Sequence, residues 1–301
     1  MNLNKLIRPA VKAMKSYSSA RDEFESQDED LVFLDANENP FPNGLNRYPD
    51  PQQIQLKNKL TALKGLRPSQ ILCGNGSDEV LDLIFRAFCE PNKDAIITLT
   101  PTYGMYAVLA NLNGIHQQCV SLTADFQIDV PAVLNAIRPN SKLLFICSPN
   151  NPSGNVMSRT AIKEILKEFK GLVVIDEAYI DFTDTESWLE DLSEHPNLVV
   201  TQTLSKAYGL AGIRLGICYA SEEIIAVLNK IKPPYNINSL TQKAAISAIS
   251  QRENTKQQLT KVHVEKQLKI TKVKDSQWRK GKATSKNRHP IVTVTTKSAV
   301  A

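Results

Sequence analysis

The chain has 301 residues, 42% hydrophobic and 22% charged, a profile that fits a globular protein with one large core or two domains. No apolar run nears the roughly 20 residues that span a bilayer, and the first residues lack a secretory apolar core, so a cytoplasmic location is expected. The net charge of +5 is unevenly placed: ten of the 36 basic residues and one of the 31 acids, Asp275, fall in 266–301. That tail has Trp278 as its sole aromatic residue and no apolar periodicity, so nucleic-acid recognition is not expected. The five cysteines, Cys73, Cys89, Cys119, Cys147 and Cys218, lack metal-ligand spacing and read as small apolar residues of a reducing compartment; no metal is expected.

Residues 1–30 read as an N-terminal arm ending in an acidic run, Glu23 to Asp30. Strand and helix signals then alternate, which predicts an α/β fold with a mostly parallel sheet between helices. The first polar constellation is Gly74-Asn75-Gly76-Ser77-Asp78-Glu79, before a helical stripe of Val80, Leu81, Ile84, Phe85 and Phe88. It reads as a phosphate cradle at a helix start, or as a plain glycine turn with Ser77 as N-cap. It matches neither a Walker loop nor a dinucleotide fingerprint. A strand over 95–99 leads into Pro101-Thr102-Tyr103-Gly104, whose aromatic ring suits the core or a ligand face.

A strand over 142–147 ends at Ser148-Pro149-Asn150-Asn151-Pro152-Ser153-Gly154, a stiff loop able to present an asparagine amide. A helical stripe of Ile162, Ile165, Leu166 and Phe169 precedes a strand over 172–175 and then Asp176-Glu177-Ala178-Tyr179. An acid directly after four apolar strand residues is either exposed at the strand end or buried and in need of a cationic partner, such as a protonated pyridine nitrogen. A strand over 198–201 leads to Thr203-Leu204-Ser205-Lys206-Ala207-Tyr208-Gly209, with Arg214 eight residues after the lysine. A lysine among hydroxyls and small residues at a strand end suits imine formation with an aldehyde cofactor. A further strand is expected over 213–217. Pro233-Pro234 then breaks the pattern ahead of a helix from Ser239 to Ser250, which marks 31–232 as a large domain and 233–265 as the start of a smaller one. Cradle, aromatic plate, amide, carboxylate, lysine and arginine together suit pyridoxal 5'-phosphate better than a nucleotide.

In this order the motifs resemble those of fold-type I pyridoxal-phosphate aminotransferases, and especially their histidinol-phosphate branch. The resemblance covers roughly residues 1–250, including Asp35 to Pro40, Arg47-Tyr48-Pro49 and Asp176 to Phe182. It implies that Lys206 forms the Schiff base and shuttles a proton between substrate and cofactor. Asp176 would pair with the pyridinium nitrogen, Asn151 and Tyr179 would hydrogen-bond the ring oxygen, and Tyr103 would stack on the ring. Gly76, Ser77, Asp78, Ser205 and Arg214 would hold the phosphate, with Tyr48 reaching it from the partner subunit of a homodimer. Asn37 and Glu38 would lie near the substrate. The implied reaction is transamination between L-histidinol phosphate and 2-oxoglutarate in histidine biosynthesis. A related aminotransferase for aromatic or other amino acids, and a cofactor-binding but inactive chain, are the alternatives. Beyond about Lys266 the family's C-terminal strand and arginine motifs are missing. That stretch reads as a truncated or out-of-frame terminus expected to be disordered, which would weaken the substrate pocket and leave the cofactor pocket intact.

Overall fold

The computed structural model describes residues 2–15, 36–255 and 257–260. The acidic run of the arm and the whole 266–301 tail lie outside these residues. Strands are β1 (Ile71–Asn75), β2 (Ala95–Thr100), β3 (His116–Ser121), β4 (Ser141–Cys147), β5 (Leu172–Asp176), β6 (Leu198–Thr203) and β7 (Leu215–Ala220). Helices are α1 (Leu3–Leu6), α2 (Pro9–Ala13), α3 (Ile54–Lys64), α4 (Ser77–Phe88), α5 (Met105–Leu112), α6 (Val130–Ala136), α7 (Arg159–Glu168), α8 (Glu222–Ile231) and α9 (Ser239–Ser250). None of the described helices is long and apolar enough to cross a membrane.

The strands form one sheet in the order β1-β7-β6-β5-β4-β2-β3. All neighbours are parallel except β7, which runs antiparallel to both β1 and β6. The central strands are apolar throughout because both faces are covered. Strand alternation divides their side chains: Leu143, Phe145, Leu172 and Val174 face the layer of α4, α5 and α8. Leu144, Ile146, Val173 and Ile175 face that of α3, α6, α7 and α9. Burial of each such side chain contributes about 1.5–3 kcal/mol, so the sheet centre is a rigid platform whose strand ends hold polar groups in place.

Three local readings need correction. The strand expected over 213–217 starts at Leu215, because Ala211–Ile213 is a 3-10 turn and Arg214 sits at φ 52°. Gly76, and not Ser77, caps α4; its φ of 83° turns the chain from β1 into the helix. Pro233-Pro234 ends α8 without ending the fold. α9 returns to the large body, where the Thr241 hydroxyl donates to the Ile213 carbonyl at 2.7 Å and Gln242 Nε2 to the Asp50 carbonyl at 3.2 Å. The described residues up to Leu259 thus fall within one compact unit.

Candidate active site

The C-terminal ends of the parallel strands, where open α/β sheets bind ligands, carry most of the predicted residues. Ser77, Asp78, Tyr103, Asn151, Asp176, Tyr179, Ser205, Lys206 and Arg214 line one cavity, and Cys147, Ala178 and Thr203 complete its walls. Sheet register creates this meeting, since Cys147 pairs with Asp176 across β4 and β5, and Asp176 with Thr201 across β5 and β6.

One end of the cavity is built for an anion. α4 points its free N–H groups at it from Ser77 onward, beside the Arg214 guanidinium. Gly76 N–H donates to the Arg214 carbonyl at 2.8 Å, and a Cβ on Gly76 would collide with the guanidinium. A Cβ on Gly216 would strike the backbone of Gly76 and Ser77, so the cradle needs glycine on both sides. The Asp78 carboxylate lies 3.5 Å from Arg214 Nη2 and accepts the Tyr103 hydroxyl at 3.1 Å. It therefore pins the aromatic plate, and Asp78 can serve an anion through its backbone N–H. With both side chains more than a third exposed, the Arg214–Asp78 pair is worth at most about 1 kcal/mol, which leaves the arginine available.

At the other end, Asp176 is 3% exposed. Its Oδ1 accepts the Ala178 N–H at 3.1 Å and its Oδ2 the Tyr106 hydroxyl at 2.8 Å. Burial raises its pKa above the ordinary carboxylate value, and these donors oppose the rise. Among the described residues no cation forms an ion pair with it. Lys206 is exposed to the cavity, its Nζ 5.6 Å from the centre of the Tyr179 ring. The lysine turn is fixed from below: the Thr203 hydroxyl donates to the Leu215 carbonyl at 3.0 Å and accepts the Ser205 N–H at 3.1 Å.

The paired asparagines divide their work. Asn150 is buried and structural, with Nδ2 donating to the Pro101 carbonyl at 3.0 Å and Oδ1 accepting the Thr102 hydroxyl at 3.0 Å. Asn151 alone lines the cavity. Glu177 points away from it and accepts three hydrogen bonds, from Ser187 Oγ at 2.6 Å, Trp188 N at 2.7 Å and Gln202 Nε2 at 2.8 Å.

Asn37, Glu38 and Tyr48 are not brought to this cavity. They line a separate cleft with Arg47, Asn238 and Leu240. Glu38 accepts from Arg47 Nη1 at 2.8 Å and from the Tyr48 N–H at 2.6 Å, and the Tyr48 ring stacks on Tyr235 at 4.4 Å. Sequence reasoning missed Tyr106, Cys147 and Thr203 as site residues. None of the three stands out from core packing in the sequence.

This geometry has counterparts. The family model for aminotransferase class I and II matches residues 33–299. The chain belongs to that family. A histidinol-phosphate aminotransferase from Flavobacterium johnsoniae is 59% identical over 273 residues, 90% of this chain and 78% of that protein. One from Parabacteroides distasonis is 53% identical over 265 residues, 88% of this chain and 76% of that protein. The crystal structure of histidinol-phosphate aminotransferase from Sinorhizobium meliloti in complex with pyridoxal-5'-phosphate superposes with a TM-score of 0.69 at 28% identity. The superposition covers 73% of this chain and 61% of that one. The family match thus continues beyond residue 250, where the resemblance read from motifs stops.

The donor set fits pyridoxal phosphate. A glycine cradle at a helix start with an arginine beside it suits a phosphate. A buried carboxylate that no cation among the described residues pairs with suits a protonated ring nitrogen, and an exposed amine in the same cavity suits an aldehyde.

Proposed function

We propose that the chain is a pyridoxal-phosphate-dependent histidinol-phosphate aminotransferase, moving the amino group between L-histidinol phosphate and 2-oxoglutarate with imidazole acetol phosphate and L-glutamate as products. The observation that carries this reading is one cavity in which Lys206, Asp176 and the Gly76–Arg214 cradle converge. The relatives' shared activity gives the substrate.

Bound pyridoxal phosphate supplies an electron sink next to the substrate's α-carbon. Asp176 would hold a proton at the ring nitrogen, where its buried charge finds the cation it lacks. Arg214, Ser205 and the N–H groups of Ser77 and Asp78 would bind the phosphate. Tyr103 would cover one ring face, while Asn151 and Tyr179 would hold the ring oxygen. Lys206 Nζ would take and return the proton. Tyr48, with Asn37 and Glu38 beside it, would serve the cavity of a second copy, which makes a homodimer part of the proposal. The free thiols suit a reducing compartment, and a cytoplasmic location belongs to the same reading.

The test is optical. Purified protein loaded with pyridoxal phosphate is expected to be yellow, and Lys206→Ala to lose that absorbance. Histidinol phosphate should bleach the colour in a half-reaction that phenylalanine does not drive. A protein that stays yellow with both substrates rules out the aminotransferase activity, and faster bleaching by phenylalanine rules out the substrate assignment.

A further inference from the structure

Asp176 needs something to keep its carboxylate turned to the cavity from a position only 3% exposed. α5 supplies it. The fully buried Tyr106 ring stacks on Phe145 at 4.9 Å and meets Tyr103 edge-on at 5.7 Å, and Phe145 in turn stacks on Phe85 at 5.2 Å. This aromatic column runs from the α4 layer to the cavity wall and holds the Tyr106 hydroxyl 2.8 Å from Asp176 Oδ2, with the Cys147 thiol beside it. The opposite oxygen is held by the Ala178 N–H.

We propose that Tyr106 is a positioning residue whose hydroxyl keeps Asp176 oriented and ionised for its grip on the cofactor ring nitrogen. The inference rests on the functional reading above. Asp78 from α4, Cys147 from β4 and Tyr103 face Asp176, with Lys206 and Arg214 lining the same cavity. Asp78 disfavours the carboxylate by like charge. Burial pushes the Cys147 thiol up to about 12, so it stays neutral. Burial, and then the Asp176 charge, raise the Tyr106 hydroxyl far above its ordinary range, so it stays a donor. Without that donor Asp176 protonates more readily, and its grip on a protonated ring is lost at higher pH than in the wild type.

The test is pyridoxal-phosphate affinity of the apo-protein, titrated by absorbance between pH 6 and pH 8.5. Tyr106→Phe is expected to bind about tenfold more weakly or worse, as for a lost hydrogen bond to a charged group, with the gap widening toward pH 6. In an Asp176→Asn background the same change should cost less than about threefold, because the charge that the hydroxyl serves is gone. Wild-type affinity in Tyr106→Phe, or an equal loss in both backgrounds, overturns the proposal. Circular dichroism reports folding. If Tyr106→Phe unfolds, recovery of the fold in the double variant supports the Tyr106–Asp176 coupling, and continued unfolding overturns it. A wild-type chain that takes up no pyridoxal phosphate defeats the functional reading instead.

Discussion

Two neighbouring buried acids show how side-chain surroundings separate chemistry from architecture. Glu177 spends both oxygens on Ser187, Trp188 and Gln202, whereas Asp176 keeps a face toward the cavity. Burial raises Asp176 above its ordinary value of 3.8. An acid raised in the folded state stabilises the fold below its unfolded pKa and loses that contribution as pH climbs through the folded one. Apo wild-type protein should therefore lose stability from about pH 4 upward on account of Asp176, at a limiting slope of about 1.4 kcal/mol per pH unit. Apo Asp176→Asn, which cannot ionise, is expected to match the wild type near pH 4 and to exceed it near pH 8. Urea midpoints at the two pH values check the sign. A variant less stable than the wild type at pH 8 would show that the Tyr106 and Ala178 donors outweigh burial.

The elements differ in how much of themselves they write into the sequence. β4, β5 and β6 are buried on both faces, so their apolar runs announce them. β3 is an edge strand reading His116-Gln117-Gln118-Cys119-Val120-Ser121, with Val120 its one buried residue, and polar side chains there cost nothing that periodicity would reveal. β1 is short and contains Gly74, so it reads as part of the turn that follows it. Tyr103, Asn151, Asp176, Tyr179, Ser205 and Lys206 were legible because they stand at or just past the ends of strong strands, whereas Cys147 and Thr203, the last residues of β4 and β6, read as strand. Tyr106 was not, because a helical tyrosine on an apolar face looks like packing until its hydroxyl is given a partner. The 3-10 segment Trp188–Asp191 is likewise hidden in sequence and is tied to the sheet by Glu177. Glu177→Ala would strand buried donors at about 1–3 kcal/mol each. The expected outcome is faster hydrogen exchange at the Trp188 N–H with core strands unchanged, and protection equal to the wild type would contradict the anchoring role.

At the scale of the molecule, the cofactor cavity and the Tyr48 cleft are separate places on one chain. Two leucines that line the second are exposed, Leu45 at 58% and Leu240 at 60%, and Phe41, four residues before Leu45, is 77% exposed. A proposed homodimer accounts for both facts, because a second copy would cover that surface and receive Tyr48 at its own cavity. Tyr48→Phe and Lys206→Ala are each expected to be inactive or nearly so when purified alone. Mixed, dissociated and reassociated, they should regain activity. In the hybrid the Tyr48→Phe subunit supplies Lys206, and the Lys206→Ala subunit supplies Tyr48, so one of the two cavities is complete. If Tyr48 acts within its own subunit, no cavity in any mixture holds both residues, and activity stays at the level of the parents. Light scattering on the same mixtures distinguishes that outcome from a failure to exchange, and Leu240→Glu should shift the population toward monomer while leaving the Lys206 cavity untouched.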